Sequence, residues 1–408
     1  MASGDSTEGF TDQVLVEEKS CLRTLILNRP RQLNALSFQM VSRLLELFVA
    51  FEDDPDVKLV ILKGKGRAFC AGGDVAAVVH DITEGHWKLG AEFFRNEFIL
   101  NYIMATYSKP QVSILNGIVM GGGAGVSIHG RFRVVTENSV FAMPETALGL
   151  FPDVGASYFL SRLPGFFGEY AGLTGARLDG PEMLACGLAT HFVPSMKLPL
   201  LEEALKKVNT TDPAILSAII DKFSHQPPLK EKSAYHRLAI IDKCFSRRIV
   251  EEIVSALEGE AVNGDDLISA ALQSLKKASP MSLKISLRSI REGRLQGVGQ
   301  CLIREYRMCC HVLRKEVSKD FFEVSGIDFV IFLSNSFFEN YSKGKLQMQG
   351  CRAILLDKDR NPKWEPSRLE LISDKMVDQY FSKVDDEDWE DLVLPVRSKL
   401  PAYAIAKL

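Results

Sequence analysis

The sequence predicts an α/β fold, a core of alternating strands and helices followed by a helical C-terminal region. Over roughly the first 160 residues short apolar runs alternate with stretches of helical periodicity. Two of those runs lead directly into glycine-rich turns, and beyond His225-Gln226-Pro227-Pro228 the text becomes charged and mainly helical.

Taken in order, residues 21–27 read as a strand. Ser37 suits a helix cap, because Val41, Leu44, Leu45, Phe48 and Phe51 recur at the spacing of one buried face. Asp53-Asp54-Pro55-Asp56 stops that helix. Residues 58–63 form a strand running into Gly64-Lys65-Gly66, and 111–120 a second buried strand running into Gly121-Gly122-Gly123. Short strands follow at 133–136 and 140–142. The texture changes from Leu163, and a boundary near residue 225 divides a catalytic core, 10–225, from a helical region, 226–408. Ser279-Pro280 reads as a helix start, with Ser as cap and Pro at the first helical position. The acidic run 385–391 reads as a solvated face.

Composition limits what the chain can do. With 46% hydrophobic and 25% charged residues it has the make-up of a folded protein, and a net charge of -3 offers no electrostatic footprint for nucleic acid. The 8 cysteines show no zinc or CxxC spacing and read as reduced thiols, so neither metal nor disulfide framework is expected. The first ten residues resemble neither a signal nor a transit peptide, and the sequence holds no apolar stretch of about 20 residues to span a membrane. The last three residues, Ala406-Lys407-Leu408, are a close variant of the Ser-Lys-Leu peroxisomal address, which implies the peroxisomal import receptor as a partner.

The chemistry centres on two glycine turns and two acids. Phe69-Cys70-Ala71-Gly72-Gly73-Asp74 and Met120-Gly121-Gly122-Gly123-Ala124-Gly125 both follow buried strands. One backbone N–H from each would make an oxyanion hole for a thioester carbonyl, since glycine lets a ligand approach the backbone closely. Neither GxGxxG nor GxxxxGK[ST] is matched, which excludes dinucleotides and nucleoside triphosphates. Pro144-Glu145 and Pro152-Asp153-Val154-Gly155 then hold two carboxylates on a stiff loop, although a first-turn helix acid and a helix cap are the plain readings of either one alone. Ser127 and His129 read as packing residues, and His80 and His86 lack metal partners. Lys63, Lys65 and Arg67 suit either the phosphates of a ligand or a solvated loop.

These turns, together with MPETALGLFPDVG, LSRLPG and LTGARL, resemble the crotonase (enoyl-CoA hydratase/isomerase) superfamily, in its 3-hydroxyisobutyryl-CoA hydrolase branch, from about Phe10 onward. The resemblance implies a core of repeated ββα units and an acyl-CoA substrate, with CoA as part of the substrate and no separate cofactor. It places the oxyanion donors at Ala71 and Gly122, the working carboxylates at Glu145 and Asp153, and a further substrate contact at Glu97. Hydratases carry a glutamate two residues after the glycine triplet, where this chain has Gly125, so hydrolysis of a short 3-hydroxyacyl-CoA in valine breakdown is expected. A hydratase or isomerase, or a non-catalytic CoA-binding homologue, is the alternative. The implied setting in acyl-CoA breakdown agrees with the peroxisomal tail, with cytoplasm or mitochondrion as the alternative location. Residues 324–349, an aromatic-rich stretch, depart from the family, and Phe321-Phe322-Glu323 would read smoothly into Gly350-Cys351-Arg352. A retained in-frame intron or gene-model error is expected there, with a true lineage-specific insertion as the alternative.

Overall fold

The computed structural model describes residues 12–74, 87–262, 264–324 and 362–397. The Ala406-Lys407-Leu408 tail, His80, His86 and the unusual stretch, apart from Val324, lie outside the described residues.

Two stacked sets of strands organise the core. The larger sheet has the order β1 (Val14–Lys19), β2 (Leu22–Leu27), β3 (Leu59–Gly64), β5 (Gln111–Leu115), β7 (Phe132–Val135), β10 (His191–Phe192). Only β1 runs antiparallel to its neighbour; the rest pair in parallel, which requires a crossover between strands. The smaller sheet has the order β4 (Ala68–Cys70), β6 (Ile118–Met120), β8 (Val140–Ala142), β9 (Leu178–Asp179). Successive strands therefore go one to each sheet and then into a helix, which is the ββα repeat.

That alternation explains one departure from the sequence reading. Residues 111–120 are two strands, β5 and β6, split at Asn116-Gly117. Gly117 has φ +113°, and a Cβ there would sit 2.2 Å from the Arg67 carbonyl oxygen. Only glycine fits so close an approach in that conformation, so the apolar run bends from one sheet to the other.

Helix α1 (Phe38–Asp53) is capped by Ser37, whose Oγ accepts from the Met40 N–H at 3.1 Å. Val41, Leu44, Phe48 and Phe51 are buried as expected, while Leu45 lies at the margin and Leu47 is buried. Helix α2 (Trp87–Ala105) packs against α1, and the short α3 (Gly122–Ile128) opens from the triple glycine. Beyond residue 225 the described elements are helical. Two of them pack behind the site: α4 (Pro280–Gly293), capped by Ser279 as expected, against the Glu145–Leu148 turn, and α5 (Val298–Arg314) along α2. Their apolar faces join the same core cluster as the strands.

The acidic run is more than a solvated face. Asp391 pairs with Arg307, and Trp389 stacks on Tyr306 at 5.3 Å between ring centres. Arg95 of α2 lies over both rings and donates to the Glu390 carbonyl at 2.8 Å. The C-terminal segment is thereby latched onto α2 and α5. Among the described residues, no helix is long and apolar enough to cross a membrane.

Candidate active site

The two glycine turns, the Glu97 face of α2 and the loop after β8 close around one cavity. It is small, about 40 Å³, and is lined by Gly72, Gly73, Gly121, Gly122, Glu97, Glu145 and Asp153, with Phe93, Phe94, Leu148, Leu150 and Phe321 as apolar walls. Four of the five sequence-predicted site residues are thus brought together. A Cβ built on Gly122 would lie 2.5 Å from Glu97 Oε1 and 3.1 Å from the Gly73 nitrogen; one on Gly121 would lie 2.9 Å from Glu145 Oε1. Glycine is required at both because the acids occupy the space a side chain would need.

The fifth residue, Ala71, is corrected by the structure. Its N–H donates to the Leu33 carbonyl at 3.1 Å, and its methyl group is buried against Leu33 and Ala68. It is therefore not available as an oxyanion donor. The residue of that turn that lines the cavity beside Gly72 is Gly73. Gly72 and Asp74 make the backbone bonds to Leu36 on either side, at 2.8 Å each, so the intervening Gly73 N–H faces the other way, toward the cavity. Gly122 opens α3, where a first-turn N–H has no partner within the helix.

All three carboxyls are deeply buried: Glu97 is 1% exposed, Glu145 4% and Asp153 5%. Burial, then the neighbouring Asp153, pushes Glu97 and Glu145 well above the usual carboxylate range. Burial, then the nearby Glu305, raises Asp153 to about 8. Each of these acids therefore holds its proton more firmly than a free carboxyl does, and the three resist carrying charge together. Glu97 Oε1 and Glu145 Oε2 have no hydrogen-bond partner among the described residues, so both remain free to meet a ligand.

The turn carrying Asp153 is strained. Val154 has φ +54°, a left-handed conformation that a β-branched residue rarely adopts. Two buried groups hold it. Burial pushes His129 down to about 4, so its ring is neutral, and Nε2–H donates to the Val154 carbonyl at 2.8 Å. Glu305 of α5 accepts from the Gly155 N–H at 2.6 Å and from the Ser157 N–H at 2.9 Å. His129 is thus a support for the catalytic turn as well as a packing residue, while Ser127 bonds back to the Gly123 carbonyl.

Val154 also fills the place beside Gly125. A Cβ on Gly125 would lie 2.6 Å from Val154 Cβ and 3.0 Å from Asn101 Nδ2, so a glutamate there cannot be accommodated without moving the Asp153 turn. Sequence reasoning identified Gly125 but missed Gly73, Glu305 and Phe321. The first lies inside a turn whose alternation of inward and outward N–H groups depends on the Leu33–Leu36 backbone. The other two come from the C-terminal region, where nothing local marks them. Lys63 is engaged by Glu202 at 2.6 Å. Among the described residues, no group of three or more His, Cys, Asp or Glu is placed to hold a metal ion.

Comparisons with known proteins agree with this geometry. The Enoyl-CoA hydratase/isomerase family model matches residues 22–332 and 335–381. The chain is 68% identical over 397 residues to 3-hydroxyisobutyryl-CoA hydrolase 1 of Arabidopsis thaliana, covering 97% of this chain and 98% of that protein. It is 65% identical over 396 residues to the probable 3-hydroxyisobutyryl-CoA hydrolase 3 of the same plant, with the same coverage. Among solved structures, a carnitinyl-CoA dehydratase from Mycobacterium thermoresistibile superposes with a TM-score of 0.77 at 33% identity, over 94% of this chain and 99% of that one. The paired glycine turns, the buried acids and these matches together establish that the chain belongs to the enoyl-CoA hydratase/isomerase family, beside the 3-hydroxyisobutyryl-CoA hydrolases.

Proposed function

We propose that this protein hydrolyses 3-hydroxyisobutyryl-CoA to 3-hydroxyisobutyrate and CoA, a thioester cleavage in valine breakdown. The observation that carries the reading is the position beside Gly125, where Val154 and Asn101 fill the room that a hydratase glutamate needs, while Glu145 and Asp153 share the cavity. The close plant relatives named as hydrolases support the same reaction.

The thioester oxygen sits between the N–H groups of Gly73 and Gly122, which stabilise the negative charge it acquires, an effect worth about 3 kcal/mol per donor. Glu145, as carboxylate, adds to the acyl carbon; the C–S bond breaks, and the departing thiolate takes the proton of Asp153. Water then attacks the resulting mixed anhydride, its proton returns to Asp153, and Glu145 leaves as carboxylate. Glu97 accepts from the substrate hydroxyl. The apolar walls and small cavity suit a short branched acyl group.

Release of free thiol from 3-hydroxyisobutyryl-CoA tests the reading. Glu145→Gln should lower turnover by about 10³-fold or more; near-normal turnover would defeat the assignment. Acid quenching during turnover should leave the acyl group on Glu145, detected by mass spectrometry, whereas direct attack of water on the thioester would leave Glu145 unmodified. Import into peroxisomes through Ala406-Lys407-Leu408 belongs to the same proposal. A fluorescent protein carrying the chain's C-terminal residues should enter peroxisomes and lose that location when the tripeptide is removed.

A further inference from the structure

Behind the cavity, one turn of α2 beyond its Glu97 wall, lies buried polarity that the acids do not account for. Asn101 lies one turn after Glu97 on α2, so the two side chains leave the same face of the helix. It is fully buried, and neither Oδ1 nor Nδ2 has a partner among the described residues. Nδ2 lies 3.0 Å from the point where a Cβ on Gly125 would sit, and Val154 Cβ crowds that same point at 2.6 Å. The amide therefore sits beside the turn that carries Asp153. An unpaired buried polar atom costs about 1–3 kcal/mol, and a leucine would fill similar space without that penalty. An amide in this place requires a polar partner, and one that both accepts and donates is water.

We propose that Asn101 is a positioning residue that holds the hydrolytic water between Glu97 and Asp153, an inference that rests on the hydrolase reading above. The water oxygen accepts from Nδ2–H and one water proton faces Asp153, leaving a lone pair aimed at the acyl carbon of the anhydride. In the second half-reaction that oxygen bonds to the acyl carbon, its proton passes to the Asp153 carboxylate, and Glu145 departs with the electrons of the broken C–O bond. The titratable groups that act on Glu97 and Asp153, the acids flanking this water, are Glu145 from the loop, Glu305 and Cys309 from α5, and Cys70 from the first glycine turn. Unlike all of these, the amide presents a donor and an acceptor at every pH.

The test separates the two half-reactions. With 3-hydroxyisobutyryl-CoA, Asn101→Leu should release one equivalent of CoA thiol in a burst at close to the wild-type rate. Steady turnover should then be slower by about 100-fold, with an acyl group trapped on Glu145 by mass spectrometry. Asn101→Asp, nearly the same shape, should regain turnover as pH falls and its new carboxyl becomes protonated, again offering both donor and acceptor. Unimpaired turnover in Asn101→Leu, or equal loss of burst and turnover in both variants, would overturn the proposal. Failure of the wild type to release thiol would instead strike the hydrolase reading itself.

Discussion

Gly125 is where a single methyl group should be felt. Alanine there would place its Cβ against Val154, whose backbone is already held in a left-handed conformation by His129 and Glu305. Overpacking of this kind costs about 2 kcal/mol. Gly125→Ala should therefore lower the melting temperature and reduce thiol release, and Gly125→Glu should fail to gain hydration of an enoyl-CoA. Asp153 makes a separate prediction. Its carboxyl titrates near 8 in the fold but near 3.8 when unfolded, so between those values the native state retains a proton that the unfolded chain has released. The contribution of this group thus declines as pH rises through that window. Asp153→Asn abolishes the titration, so its melting temperature should gain on the wild type from pH 5 to pH 8. Parallel curves would contradict the shifted carboxyl. The same substitution should remove most turnover, the familiar conflict between a working site and a comfortable fold.

At the scale of elements, the catalytic turn depends on helices far from it in sequence. Glu305→Leu would leave the buried N–H groups of Gly155 and Ser157 without their acceptor, at about 3 kcal/mol, and thiol release should fall with stability. Trp389→Ala would undo the stack on Tyr306 and the Arg95 latch, costing about 2 kcal/mol. Because Arg95 is two residues from Glu97, the readout should include a raised KM as well as a lower melting temperature. These dependencies also mark where sequence stopped being informative. Strands, the Ser37 and Ser279 caps and the acids of the β8 loop were legible because turn chemistry and periodicity are local. The break at Gly117 was not, since an unbroken apolar run conceals a change of sheet. The resemblance implies Ala71, but which N–H of the turn faces the cavity is decided by Leu33 and Leu36, far earlier in the chain. Trp389 and Asp391 looked like part of an exposed acidic face, and their partners on α2 and α5 could be known only after folding.

For the molecule as a whole, Phe321, three residues before the 324–349 stretch in the chain, lines the cavity. The stretch's window 327–333, with Asp328 as its single charge, has the composition of an aggregation-prone strand. Removal of 324–349 should raise the yield of soluble protein and preserve or increase thiol release; equal behaviour of the two forms would show the stretch to be harmless. Glu305 has a wider meaning for how such chains are judged. A fragment ending near residue 225 would contain both glycine turns, Glu97, Glu145 and Asp153, and by its motifs would pass for a whole enzyme. It would lack the acceptor that sets Gly155 and Ser157, the wall supplied by Phe321, and the clasp on α2. On the ribosome, too, every reacting group emerges before the parts that aim it, so activity should arrive late in synthesis, with the last quarter of the chain.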